Sequence, residues 1–233
     1  MTDQQPQQLV LDLPHRSALG LEDFLVSQSN QAAIDLIDGA VAWPNGAALV
    51  VGPSGAGKSH LANVWRAKTG AGSVNAREAG EEAVQAAASG GRVIVEDLDC
   101  GIRDEAALFH LLNIARQGKA LVLFTSKLAA GELSITLPDL RSRVKALPMA
   151  AIEPPDEALL RAVLVKLFAD RQLIVEPGVI GYLIIRMERS MAAANAVVAE
   201  TDRLGLAMRR RVSKQLVQQA LASVARQVGN CDD

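Results

Sequence analysis

The residues most able to do chemistry are contiguous: Gly52-Pro53-Ser54-Gly55-Ala56-Gly57-Lys58-Ser59. They match G-x-x-x-x-G-K-[ST] in full, a pattern whose glycines let backbone N–H groups turn inward as an anion nest at a helix N-terminus. Lys58 is expected to reach the β- and γ-phosphates of a bound nucleotide, and the Ser59 hydroxyl to ligate Mg²⁺. Gly52, Ser54, Gly55, Ala56, Gly57 and His60 complete the expected cradle. The competing reading, a Gly-rich turn that binds nothing, leaves unexplained why every fixed position and both flanks agree.

Such a loop needs an acidic partner at a neighbouring strand end. Glu96-Asp97 directly follow Val93-Ile94-Val95 and stand where the pair belongs, with Glu96 expected toward the metal and Asp97 in a catalytic role. Asp99 is a weaker candidate, and solvated acids in a turn are the alternative. Thr125-Ser126-Lys127 end a third apolar run, where Thr125 or Ser126 could orient a water or simply serve the turn. Farther on, Asp139-Leu140-Arg141-Ser142-Arg143 follows Pro138. An arginine projecting from a subunit edge can complete a neighbour's site, although a surface arginine often does nothing of the kind.

These side chains need a scaffold, and the pattern supplies one. Ala47–Val51, Val93–Val95 and Ala120–Phe124 read as short buried parallel strands, with weaker strands at Ser73–Ala76 and Val144–Met149. Helix-length sequence separates them, which predicts an α/β three-layer P-loop NTPase domain with a parallel sheet. A helix over Gln28–Val41 should precede it, with Ala32, Ala33, Leu36, Ile37 and Val41 on one face. After Pro154-Pro155 the period is helical throughout: Asp156–Ala169, Pro177–Met187, Met191–Ala207 and Val212–Val228. The expected organisation is an extended tail over 1–16, the nucleotide domain over 17–151, and a small all-helical lid over 152–233.

Composition limits the partners. The 233 residues are 49% hydrophobic and 21% charged, ordinary globular usage that leaves disorder only for the polar start. Lys and Arg number 24 against 26 Asp and Glu, a net of −2, so no bulk charge draws the chain to nucleic acid. Aromatics at 3% leave few rings for stacking single strands. Two cysteines, no signal-peptide pattern and no apolar run of membrane-spanning length lead to the expectation of a soluble cytoplasmic protein with no membrane partner.

The combination of the phosphate loop through His60-Leu61, the acidic strand end, Leu137–Arg143 and a helical lid resembles the initiator-like branch of the AAA+ ATPases. That branch contains the replication initiator DnaA and its shorter Hda-type relatives. Gln8-Leu9-Val10-Leu11-Asp12-Leu13 is similar to the peptide by which the Hda-type members dock on the bacterial sliding clamp. An extended tail with Gln8, Leu9, Leu11 and Leu13 suits pocket binding on its own physics, with one copy weak, roughly micromolar. The alternative is that its leucines pack back on the domain.

The resemblance implies ADP or ATP with Mg²⁺ as cofactors, and Phe24-Leu25-Val26 along the adenine. It implies Arg143 as an arginine finger acting in trans on ATP-bound DnaA, with DnaA and the clamp as partners. DNA would be contacted only indirectly or weakly: Arg209-Arg210-Arg211 and Lys214 are basic but offer no means of reading bases, and no DNA-reading domain is expected beyond the lid. AAA+ geometry favours head-to-tail association, including with further copies of the chain.

Three positions depart from the pattern. Glu96 replaces the usual first Asp, Lys127 stands at the first-sensor Asp, and Ala192 stands at the second-sensor Arg. Arg189, one helical turn away, is the substitute. Binding of nucleotide is therefore expected, with weak or absent hydrolysis by the chain itself. The competing function is a helicase-loader-like ATPase driven by its own hydrolysis.

Overall fold

The computed structural model describes residues 25–229. Phe24 and the peptide residues Gln8, Leu9, Leu11 and Leu13 lie outside them. The described chain forms two compact units, residues 25–154 and 155–229.

The first unit is built on five parallel strands: β1 (Ala47–Val51), β2 (Gly72–Asn75), β3 (Arg92–Glu96), β4 (Leu121–Ser126) and β5 (Met149–Ala151). Their order across the sheet is β2-β3-β4-β1-β5. Strand residues alternate between two apolar layers, as the two-residue period of a pleated sheet requires. Leu49, Val51, Val95 and Phe124 face one layer with α3 (Glu81–Ala88), α4 (Glu105–Arg116) and α5 (Pro138–Lys145). Ala48, Val50, Ile94 and Leu123 face the other with α1 (Gln31–Asp38) and α2 (Lys58–Thr69). There Trp43 and Trp65 stack with ring centroids 5.6 Å apart, and the Trp43 indole donates to Leu36 O. The parallel sheet covered on both faces is the fold that the sequence predicts.

Two elements differ from expectation. The first helix stops at Asp38, because Gly39 ends it and a single 3₁₀ turn follows. That turn rotates Ala40 inward and leaves Val41 at 92% exposure, while Ala32 also faces solvent. The last strand begins at Met149, not Val144. Leu140 and Val144 are one helical turn apart on the inward face of α5, which Pro138 opens, so helical burial claims the start of that apolar stretch.

The second unit holds α6 (Glu157–Asp170), α7 (Pro177–Arg186), α8 (Met191–Met208) and α9 (Lys214–Gly229) around Leu160, Leu164, Phe168, Ile180, Leu183 and Val198. Asp156 and Ser190 cap α6 and α8 by accepting from the N–H groups of Leu159 and Ala193. Leu183-Ile184-Ile185 falls within α7. Among the described residues no helix is long and apolar enough to cross a membrane.

Candidate nucleotide site

The sheet places the phosphate loop at its point of reversal. β1 pairs with β4 on one side and with β5 on the other, so the connections diverge at its carboxyl end, where parallel sheets open a crevice. The loop is tied to both neighbours. Gly52 N donates to Ser126 O at 3.2 Å, and Ile152 N to Val51 O at 2.7 Å. A Cβ at Gly52 would lie 2.5 Å from the Ile152 carbonyl oxygen, so only glycine allows this approach.

Gly55 and Gly57 both take positive φ, +71° and +110°, which turns the backbone into α2. At Gly57 a side chain would meet nothing within 4 Å; the loop mouth there is open, and glycine is needed for its conformation alone. Lys58 begins α2 and is 7% exposed. Its ammonium donates to Gly52 O at 2.6 Å and Pro53 O at 2.9 Å, so it is curled within the loop. Burial lowers its pKa; Asp99 and then Asp97 oppose that shift, while Lys127 adds to it. Ser59 is exposed at the second position of α2, and His60 is half-buried on the third.

The acids differ among themselves. Glu96 ends β3 and accepts from the Ser73 hydroxyl of edge strand β2 at 2.9 Å. Asp97 adopts a left-handed conformation, φ +60°, which Asp tolerates better than most residues. Its carboxylate accepts from Asn75 Nδ2 at 3.0 Å, and its N–H donates to Thr125 Oγ1 at 3.2 Å. That turn carries Asp99 to the end of β4, where it accepts from the Lys127 N–H at 2.7 Å. Burial works to raise the Asp99 pKa, but the backbone N–H donors, the Lys127 ammonium and the Cys100 thiol outweigh it and hold the carboxyl below the usual range. Thr125 and Ser126 are buried, and each hydroxyl accepts a backbone N–H, from Asp97 and Leu128. They serve the turn.

A nucleotide's phosphate tail fits this cradle: inward-turned glycines, a helix N-terminus, an open mouth and a lysine already among carbonyl oxygens. The donors beside it, a hydroxyl and carboxylates, are the hard oxygen ligands that Mg²⁺ takes.

Arg143 lies elsewhere. Its guanidinium sits 4.3 Å from the Phe109 ring centroid and donates to Asn113 Oδ1, both partners on α4. The same helix holds the start of α5, since Glu105 accepts from the N–H groups of Thr136 and Leu137 at 2.8 and 2.6 Å. Leu25 is half-buried and Val26 exposed at the beginning of the described chain. Arg189 is exposed just before α8, in the helical unit. Gly52–Ser59, Asp97, Asp99 and Lys127 are thus gathered at one sheet edge; Arg143 is not among them.

No protein-family model matches the sequence, and no curated protein matches it either. Solved structures do match in fold. Domain III of the replication initiation protein DnaA from Thermotoga maritima superposes with a TM-score of 0.72 at 16% identity, covering 88% of this chain and 96% of that one. AMPPCP-bound DnaA from Aquifex aeolicus gives 0.63 at 17% identity, over 81% of this chain and 65% of the longer one. The RuvB Holliday junction branch migration motor of Thermotoga maritima gives 0.64 at 16% identity, over 85% and 70%. The chain has the AAA+ P-loop NTPase fold, with a helical region after the sheet.

Proposed function

We propose that the chain is a nucleotide-binding regulator of replication initiation, of the Hda type among DnaA-related AAA+ proteins. Docked on the sliding clamp through Gln8, Leu9, Leu11 and Leu13, it presents Arg143 to ATP-bound DnaA and promotes hydrolysis there, which prevents re-initiation. One observation supports this most. Arg143 is bound to α4, on the sheet face opposite α2, so its charge is not spent on the chain's own phosphate loop. An arginine so placed must leave Asn113 and Phe109 to act, and a partner's phosphates are the stronger counter-charge.

The chain's own nucleotide, ADP or ATP, is held by backbone N–H groups between Ser54 and Ser59 and by Lys58. Phe24, Leu25 and Val26 are the residues we assign to the base. The Ser59 hydroxyl and the carboxylates that end β3 would hold Mg²⁺, which when bound would offset phosphate charge. Arg143 supplies positive charge to the phosphoryl group transferred to water in the partner's site, an effect worth ~10³ to 10⁵ in rate for such fingers.

Phosphate release from DnaA–ATP, with and without this chain, clamp and DNA, tests the reading. Arg143→Ala is expected to abolish stimulation while leaving clamp and nucleotide binding intact; Gln8→Ala with Leu11→Ala should lose clamp binding. Undiminished stimulation by Arg143→Ala rejects the finger. The second reading, a helicase-loader-like ATPase, is favoured by Asp97, whose carboxylate Asn75 fixes within the field of Lys58. It requires turnover by the isolated chain that Asp97→Asn removes.

A further inference from the structure

A second cation stands beside the phosphate loop. Lys127 is the first residue after β4, the strand paired with β1 through Val51↔Ser126, so it leaves the sheet at the edge where the loop begins. Its N–H is held by Asp99 Oδ1, and its ammonium lies 3.8 Å from Asp99 Oδ2. The two partners are unequal. The Asp99 side chain is 8% exposed and fixed by backbone donors, whereas the Lys127 side chain is 46% exposed on a flexible stem. Lys58 feels both: Asp99 attracts its ammonium and Lys127 repels it. Asp99 is thus the ion-pair partner of Lys127 and lies within the electrostatic field of Lys58.

A diphosphate tail brings more negative charge than one carboxylate, and it arrives with the loop's N–H groups already aimed at it. A lysine at 3.8 Å from its carboxylate, half in water, gives up little by changing partners. From this we propose that Lys127 is a phosphate-binding residue that leaves Asp99 for the nucleotide tail and supplies part of the charge otherwise supplied by Mg²⁺, so that the site retains ADP without divalent metal. The inference rests on the nucleotide-site reading above and assigns the departure at Lys127 a use.

The test is ADP binding by the full chain, measured by titration calorimetry in EDTA and again in Mg²⁺. Lys127→Ala is expected to weaken binding on the order of tenfold in EDTA, the worth of one charge-assisted hydrogen bond, and clearly less in Mg²⁺. Lys127→Arg should restore most of the loss, which separates charge from packing. Asp99→Asn, which keeps an acceptor for the Lys127 N–H, should tighten binding in EDTA, and that gain should vanish when combined with Lys127→Ala. Equal affinity of Lys127→Ala and the parent chain in EDTA overturns the inference alone, provided Lys58→Ala loses binding in both buffers. Absence of ADP binding by the parent chain in either buffer overturns the nucleotide-site reading, and this inference with it.

Discussion

The phosphate loop and the α4–α5 corner each hold a cation, and they hold it by opposite means. Lys58 is gripped by backbone carbonyls of its own loop, and the loop by backbone bonds to β4 and β5. Arg143 is held by two side chains of α4, an amide and an aromatic face. The carbonyl acceptors of Lys58 are fixed by φ and ψ, so they stay in place while the lysine side chain itself can turn from them. A side-chain grip opens by rotamer changes, which cost little. The difference is between a lysine whose acceptors are set by the main chain and an arginine whose partners are both side chains.

The comparison can be broken at either end. The largest effect is expected from Gly52→Ala, because the new Cβ meets the Ile152 carbonyl and neither backbone can move aside. A loss of roughly 1–3 kcal/mol is expected in urea denaturation, with weakened nucleotide binding. A change too small to measure would show that β5 yields and that the loop is not backbone-locked. Asn113→Ala should cost less, about 1 kcal/mol, because Arg143 keeps the Phe109 face and gains water.

The smallest effect lies in the helical unit, at a contact of mixed kind. Glu200 is 7% exposed and takes both Arg203 donors at 2.7 Å, while Arg203 is half in solvent. The Arg203 bonds, aided by Ser223 and opposed by burial, hold the Glu200 carboxyl below the usual range. A lowered carboxylate pKa stabilises the fold above the ordinary glutamate value, about 4.3, and loses that contribution as pH falls through the lowered one. Glu200→Gln should therefore cost well under 1 kcal/mol at neutral pH, after allowance for the exposed arginine, and flatten the acid limb of the stability profile.

Legibility in the sequence followed how locally each feature is determined. The phosphate loop and its flanking strand were readable because eight adjacent residues specify both backbone and chemistry. β5 was misplaced because Val144 and Met149 look alike as apolar residues, and only the turn opened by Pro138 shows which face of a helix claims the first. The surroundings of Asp99 are not legible because they depend on the left-handed turn at Asp97 and on a bond to Lys127, 28 residues away. The partners of Arg143 on α4 are farther still, 30 residues for Asn113, and the packing of α4 against α5 brings them together.

The paired indoles on the α2 side of the sheet have a spectroscopic consequence. The sequence contains two tryptophans and one tyrosine. Trp43 and Trp65 lie together in the α/β unit, 6% and 1% exposed, with Trp65 on the helix that Lys58 begins. Tyr182 lies in the helical unit, between Arg186 and Lys214. Indole emission excited beyond the phenol band therefore reports the α/β unit alone. Melting of that unit can be followed by its own indoles and set against helix loss in the whole chain, without attaching a dye.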